Sequence, residues 1–475
     1  MDAMLIRRIY DEKLAQASWL VGCAATGEAL VVDPNRDVAQ YQALAEREGL
    51  RIAHVTETHI HADFVSGLRE LAERTGAQAY LSGEGGRDWS YGFAAELGAR
   101  LVRDGDEFAV GNIRVQVLHT PGHTPEHICF LVTDRAGADR PMGLFTGDFV
   151  FVGDVGRPDL LEKAAGEAGT TEAAARALYA SLQRLEPLPD WLQLWPGHGA
   201  GSACGKALGA VPQSTLGYER LFNWGLAAES EAAFVAGVLA GQPEPPRYFA
   251  VMKRVNRDGP ARLDGFPRPP RLDPMTLRER REDAVVVDAR PWPEFAAGHA
   301  AGTLNIPLNR SFPNWAGSLL PYDRDILLLL PAAAALPEAV RDLAMIGLDR
   351  VAGWFAPDAL AHAGPLRQLD GVGVQQARTL LERGGVAVLD VRGQSEWDEV
   401  HLPADAGAGV HHIPLGALAE RMAELPDATL LVHCKSGSRS AIATSLLAAH
   451  GRGAVLNLEG GIDAWIAEGG AVERA

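Results

Sequence analysis

In the first half of the chain, short apolar runs alternate with polar turns. "ALVVDP" (Ala29 to Pro34) and "IRVQVLHT" (Ile113 to Thr120) have the length and β-branched content of strands. Each leads into a turn carrying Asp or His, so chemical groups stand on loops at strand ends, supported by a sheet. Two proline-rich stretches, QPEPP (Gln242 to Pro246) and FPRPPRLDP (Phe266 to Pro274), then break the pattern. Each proline steers its predecessor away from helix, which favours extended connectors. Beyond them the chain repeats itself. "VVVDARPWPEFAAGHAAGTLNIPL" (Val285 to Leu308) is echoed by "AVLDVRGQSEWDEVHLPADAGAGVHHIPL" (Ala387 to Leu415). Both copies hold a strand, Asp-x-Arg, an acidic-aromatic step, a histidine and Ile-Pro-Leu. Strands alternating with helical segments such as "AIATSLLAAH" predict small α/β domains with parallel sheets.

At 475 residues the chain exceeds one ordinary core, and its 47% apolar and 22% charged residues describe a soluble globular protein. Forty-four basic against sixty-one acidic residues give a net charge of −17. That field repels phosphate backbones and anionic lipid, and no Lys/Arg block offsets it. Nucleic acid and membrane are therefore not expected as partners, while small anions remain open to local arginines. The N-terminal MDAMLIRRIYDEKLAQ carries charges where a signal peptide would be apolar. The longest apolar run, Ile326 to Leu336, is broken by Pro331 and too short to span a bilayer. Cys23, Cys129, Cys204 and Cys434 lie far apart with no CxxC pair, which fits a reduced, cytoplasmic setting.

Four features recur at strand ends: His59-x-His61-x-Asp63, His123 in "HTPGHTPEH", Asp148 in "TGD", and His198 in "WPGHG". A lone histidine is usually a hydrogen-bonded structural residue. Four such features, each beside Gly, Pro or Thr turns, point instead to a metal site of imidazole and carboxylate ligands, suited to Zn or non-haem Fe.

These motifs resemble the metallo-β-lactamase superfamily over roughly residues 4 to 245, which implies an αββα sandwich with the metal at one edge. In its binuclear members, such as the glyoxalase II hydrolases, an HxHxDH motif serves both metals. Here Phe64 takes the place of the last histidine. A phenyl ring has no lone pair, so a second site would keep only Asp63, His198 and a shared Asp148. The sequence looks most like the persulfide dioxygenases, the branch that works with one metal. That resemblance implies one Fe(II) per chain on His59, His123 and Asp148, with His61 and Asp63 orienting ligands or water. The hydrolase alternative recruits His61 as a direct zinc ligand. Arg157, in "GDVGRPDLL", is a candidate to grip a carboxylate of a thiol substrate; the alternative is that it pairs with Asp154 or Asp159 and shapes the loop. Cys204, six residues past His198, is either near the site mouth or a buried inert thiol.

The second strong signal is "LLVHCKSGSRSAIATSLLAAH". An apolar strand runs into Cys434-Lys-Ser-Gly-Ser-Arg439, and a helix follows. Such a turn aims backbone N–H groups and a helix N-terminus at the sulfur, while Lys435 and Arg439 add positive charge; both favour a nucleophilic sulfur anion. With "LDVR" upstream and "GGIDAW" (Gly460 to Trp465) downstream, this stretch resembles a rhodanese domain. The resemblance implies that Cys434 cycles through a persulfide cradled by the amides of Lys435, Ser436, Gly437, Ser438, Arg439 and Ser440. Arg439 would help hold an anionic acceptor, and Asp390 and Arg392 would buttress the loop. In the first copy, "DILLLLPAAAAL" puts Pro331 or Ala332 where the cysteine belongs, so that copy resembles a degenerate rhodanese kept as scaffold or spacer.

The expected organisation is an α/β chain: an N-terminal αββα sandwich (1–245), a linker (246–269), a degenerate rhodanese-like domain (270–362) and an active one (366–475), the last two with parallel sheets. The expected partners are a small thiol persulfide of glutathione type, O2, sulfite and thiosulfate, and the family resemblance implies a homo-oligomer. The expected reaction oxidises persulfide to sulfite, and Cys434 passes sulfane sulfur on to give thiosulfate. Two alternatives stand beside it: a binuclear-zinc thioester hydrolase with a sulfurtransferase domain, and a non-enzymatic sulfane-sulfur carrier or sensor.

Overall fold

The computed structural model describes residues 4–163 and 169–474; Met1 and Ala475, the outer limits of the first and last expected domains, lie outside the described residues. The chain forms two compact units. The first runs through Phe266 and takes in Ala344–Gly347, and the second holds the remainder.

The first unit is built on two six-stranded sheets. One follows chain order through Met4–Asp11, Gln16–Cys23, Glu28–Val32, Arg51–Thr56, Gln78–Ser82 and Arg100–Val102, antiparallel at first and parallel from the third strand on. The other orders Ser214–Thr215, Gln193–Pro196, Gly143–Gly147, Ile128–Asp134, Ile113–His119 and Glu107–Val110. Period-two alternation sorts their side chains into layers. Trp19, Val21, Leu30, Val32, Phe130, Phe145 and Trp195 point between the sheets. Their neighbours in sequence face outward and bury helices: Leu20 and Val31 pack against Tyr41, Leu44, Leu68 and Leu71. On the opposite side Leu131, Leu144 and Leu194 pack against Leu178, Leu182, Phe234 and Val238. The result is the αββα sandwich.

The second unit contains two fully parallel sheets. Four strands, ordered Leu304–Asn305, Val285–Asp288, Ile326–Leu329 and Val351–Phe355, carry the first copy of the repeat. Five strands, ordered Asp370–Val372, Val455–Leu458, Thr429–His433, Val386–Asp390 and Val410–His412, carry the second. The repeat extends to a buried ion pair. Arg290 reaches Asp288 at 2.6 Å and Arg392 reaches Asp390 at 2.5 Å, and each arginine also donates to the carbonyl eight residues on, Gly298 and Val400.

One stretch departs from the sequence reading. Residues 246–269 read as an extended connector, yet they include the helix Phe249–Asp258, whose Phe249, Met252 and Asn256 are buried. Prolines flank this helix without entering it, so the composition of the segment misleads. Among the described residues, no helix is long and apolar enough to cross a membrane.

Phe145 is fully buried, with its ring centroid 4.7 Å from Trp195 and 5.9 Å from Trp19. Phe145→Ala leaves a cavity at the centre of the sandwich and should cost about 3–5 kcal/mol. Denaturant unfolding followed by tryptophan fluorescence measures that loss; a change below about 1 kcal/mol would contradict this core assignment.

Candidate functional site

The strand ends converge at one edge of the sandwich. Arg51–Thr56 leads into the loop with His59, His61 and Asp63, and the turn between Ile113–His119 and Ile128–Asp134 carries His123. Gly143–Gly147 and Gln193–Pro196 run parallel as neighbours, so the residues just past their ends, Asp148 and His198, arrive together. All of these side chains are buried.

Asp148 stands at the centre. Its Oδ2 lies 3.5 Å from His123 Nε2 and 3.9 Å from His59 Nε2, and its Oδ1 lies 3.4 Å from His198 Nε2. His123 Nδ1 donates to the Arg157 carbonyl at 3.1 Å and His198 Nδ1 to the Ala15 carbonyl at 3.0 Å, while His59 Nδ1 lies 2.9 Å from the Thr58 hydroxyl. A carbonyl can only accept, so His123 and His198 each carry a proton on Nδ1 and turn Nε2 inward. Burial and the neighbouring His61 and His123 hold His59 well below its usual pKa; burial also lowers His123, against the opposing pull of Asp148. The imidazoles of His59 and His123, both disfavoured as cations, therefore face Asp148 oxygens that have no hydrogen-bond partner among the described residues. That arrangement is repulsive unless a cation sits between them, and the donor set fits a divalent metal.

The ligand atoms form two groups, each within 4.8 Å: His59, His123 and Asp148 in one, and Asp63, His198 and Cys204 in the other. Cys204 is buried, and burial together with Asp148 and Asp63 pushes its thiol well above the usual value in the metal-free protein.

His61 belongs to neither group. Its Nε2 lies 3.2 Å from Asp33 Oδ1. Burial opposes a charge there, but Asp33 and Glu57 outweigh it and raise His61 to about 9. Asp33 is itself held with φ at +51°, and its carboxylate accepts the Thr58 amide at 2.6 Å. Phe64 is fully buried with its ring 4.4 Å from the His61 ring, filling the place of a ligand with hydrocarbon. The loop is clamped by Asn256, whose amide donates to the carbonyls of His61 and Phe64, both at 2.7 Å, and accepts from Ser66 N at 2.8 Å.

Three residues that sequence reasoning passed over shape this site: Asp33, Asn256 and His127. His127 stacks on His59 at 5.1 Å, and its Nε2 accepts the Asp148 amide at 3.2 Å, so it positions two of the candidate ligands. It is the last histidine of "HTPGHTPEH", and Asp33 is the aspartate of "ALVVDP", so both lie in stretches whose turns carry His or Asp. Arg157 does not reach toward a substrate. It is fully buried, paired with Asp159 at 2.8 and 2.7 Å, and it donates to the carbonyls of Ala203 and Pro243. Its guanidinium ties down the Cys204 loop instead.

In the second unit, strand Thr429–His433 delivers Cys434 to the N-terminus of helix Ser438–Ala449. Cys434 is 1% exposed; Gly437 N donates to its sulfur at 3.2 Å and Ser440 Oγ at 3.5 Å. Gly437 has φ at +94°, a backbone that side-chain-bearing residues rarely adopt. Behind the loop, Ile462 N and Asp463 N donate to the carbonyls of Cys434 and Lys435, which accounts for the "GGIDAW" stretch. The buried Arg392–Asp390 pair continues to His433 at 3.5 Å, directly before the cysteine. Lys435, Ser436 and Ser438 are exposed. Arg439 is not open to an anion in this structure: its two terminal nitrogens bond both oxygens of Glu396 at 2.6 and 2.7 Å. Burial opposes the charge on Glu396, but Arg439 holds its carboxyl below the usual range.

A four-layer sandwich with a histidine–aspartate edge, followed by a parallel-sheet domain with a cysteine loop, defines a fusion of two protein classes. The chain matches the metallo-beta-lactamase superfamily over residues 12–198 and the rhodanese-like domain over residues 373–468. It belongs to the metallo-β-lactamase superfamily and carries a C-terminal rhodanese-like domain. A solved metallo-beta-lactamase structure from Staphylococcus aureus is 45% identical, covers 75% of this chain and 99% of its own, and superposes with a TM-score of 0.69. The mitochondrial persulfide dioxygenase of Bos taurus is 29% identical over 41% of this chain and 68% of its own length. A hydroxyacylglutathione hydrolase from Nitrosococcus oceani is 34% identical over 41% of this chain and 66% of its own length. Of two further relatives the chain spans about half, 53% of each.

A Cβ on Gly156 would meet the Asp148 carbonyl at 1.8 Å. Gly156→Ala should therefore displace Asp148 and lower bound metal per chain. Gly373→Ala, at a site with nothing within 4 Å, should leave it unchanged. Metal analysis of both variants after identical purification checks this, and equal metal content in the two would refute it.

Proposed function

We propose that this chain is a non-haem iron persulfide dioxygenase joined to a rhodanese-type sulfurtransferase. The observation that carries the reading is the isolation of His59, His123 and Asp148 as two neutral imidazoles and one carboxylate, with His61 drawn off to Asp33 and Phe64 closing the adjacent position. Two histidines and one carboxylate with open positions are the ligand set of Fe(II) oxygen chemistry. Iron bound there supplies activation of O2 toward the terminal sulfur of a persulfide. The balanced reaction is RSSH + O2 + H2O → RSH + sulfite + 2 H+.

The protein's own residues do the rest. Arg157 O and Ala15 O fix the histidine tautomers, His127 holds Asp148 through its amide, and Phe64 with its neighbours excludes water. At the second site Cys434 attacks the sulfane sulfur of a persulfide, and Gly437 N and Ser440 Oγ stabilise charge on sulfur. Attack by sulfite on the resulting Cys434 persulfide releases thiosulfate and returns the thiol. Relatives named persulfide dioxygenase and the rhodanese-like match support this reading.

A second reading has one observation in its favour. Asp63, His198 and Cys204 form a further ligand group beside Asp148, and relatives named hydroxyacylglutathione hydrolase also match. A two-zinc hydrolase would use both groups.

Variants separate the two. His59→Ala should abolish metal binding and persulfide-dependent O2 uptake. His61→Ala should retain one metal per chain, and loss of all metal from it would favour the hydrolase reading. Cys434→Ser should leave O2 uptake intact while sulfite replaces thiosulfate as product. Continued thiosulfate formation by that variant would remove Cys434 from the transfer step.

A further inference from the structure

Within the second unit, a cavity of about 720 Å³ adjoins the cysteine loop at Ser436, Gly437 and Ser438. Its opposite wall comes from the copy of the repeat that has no cysteine, through Trp292, Glu294 and Trp315. The volume matches that of an organic ligand and far exceeds what a sulfur oxyanion needs.

Charge and polarity narrow the occupant. Among the described residues lining the cavity, none is lysine or arginine. Of the two cations of the loop, Arg439 is committed to Glu396 and Lys435 does not line the cavity. Three glutamates line the cavity, Glu294, Glu338 and Glu459, and all three are exposed. Asn457 also lines it; this residue is 3% exposed and its Oδ1 has no hydrogen-bond partner among the described residues. A buried amide oxygen in that state awaits an N–H or O–H donor. The two indole faces suit an apolar or amine-bearing body, while the carboxylates repel further negative charge.

We infer that this cavity holds the organic body of the thiol that brings sulfane sulfur to Cys434, and that it selects neutral or amine-bearing thiols over anionic ones. The copy without a cysteine then serves as the specificity wall of the active one. This inference rests on the sulfurtransferase reading of Cys434. In the step itself the Cys434 thiolate bonds to the terminal sulfur of RSSH and the S–S bond breaks. RS⁻ leaves and takes up a proton, with no net oxidation.

The test uses the full chain under argon, where O2-dependent turnover is silent. The probes are glutathione persulfide and the persulfide of glutathione diethyl ester, which share a body but differ by two carboxylates. Loading is read as the gain of one sulfur atom on the Cys434 peptide by mass spectrometry. The ester should load about tenfold faster, a difference expected from charge facing three carboxylates. Replacing Glu294, Glu338 and Glu459 together by Gln should remove that preference, and Trp315→Ala should slow both donors. Equal rates in the unsubstituted protein, or a preference that survives the glutamine variants, would overturn the inference while leaving the transfer reading in place. Failure of Cys434 to gain sulfur from either donor would overturn both.

Discussion

The first unit is organised around Asp148, a fully buried carboxylate whose oxygens have no hydrogen-bond partner among the described residues and face the imidazoles of His123 and His198. Removing such a group from water is costly, and a cation held among these side chains would offset that cost. The parallel pairing of Gly143–Gly147 with Gln193–Pro196 brings Asp148 and His198 together, the Nδ1 bonds set the tautomers, and His127 pins the Asp148 amide. Each of these features makes sense only if a cation completes the site.

What the protein does with that cation turns on one neighbouring residue. His59 and His61 stand two positions apart on the same loop, yet they belong to different electrostatic environments. His59 is buried and crowded by other imidazoles, which disfavour its charged form, whereas His61 faces Asp33 and Glu57, which favour it. The same loop sequence thus places two histidines in opposite surroundings, and Asp33, which draws His61 away, follows a separate strand.

That division explains what could be read from the sequence. The sandwich was legible because period-two alternation in runs such as "ALVVDP" sorts residues cleanly between core and helix-facing layers. The candidate ligands were legible because they sit beside turn residues at strand ends. The role of His61 was not, since it depends on a contact with Asp33, 28 residues away. Arg157 misled for a related reason: a loop arginine looks available until the loop folds over it. The helix Phe249–Asp258 was hidden by flanking prolines. In the second unit, "CKSGSR" announced the loop geometry, but Glu396, which occupies Arg439, lies 43 residues earlier and gave no sign. Local patterns were informative, and long-range polar pairings were not.

The copy of the repeat without a cysteine shares a parallel sheet and a buried Asp–Arg pair, Asp288–Arg290, with the copy that carries Cys434. Its Trp292, Trp315, Glu294 and Glu338 line the cavity beside the cysteine loop.

The central claim is that His59, His123 and Asp148 hold a single iron that consumes oxygen. The most direct measurement is metal content of anaerobically purified protein, taken together with O2 uptake on adding a thiol persulfide. The account predicts about one iron per chain and one O2 consumed per persulfide oxidised. Two zinc ions per chain, thioester hydrolysis and no O2 uptake would contradict it.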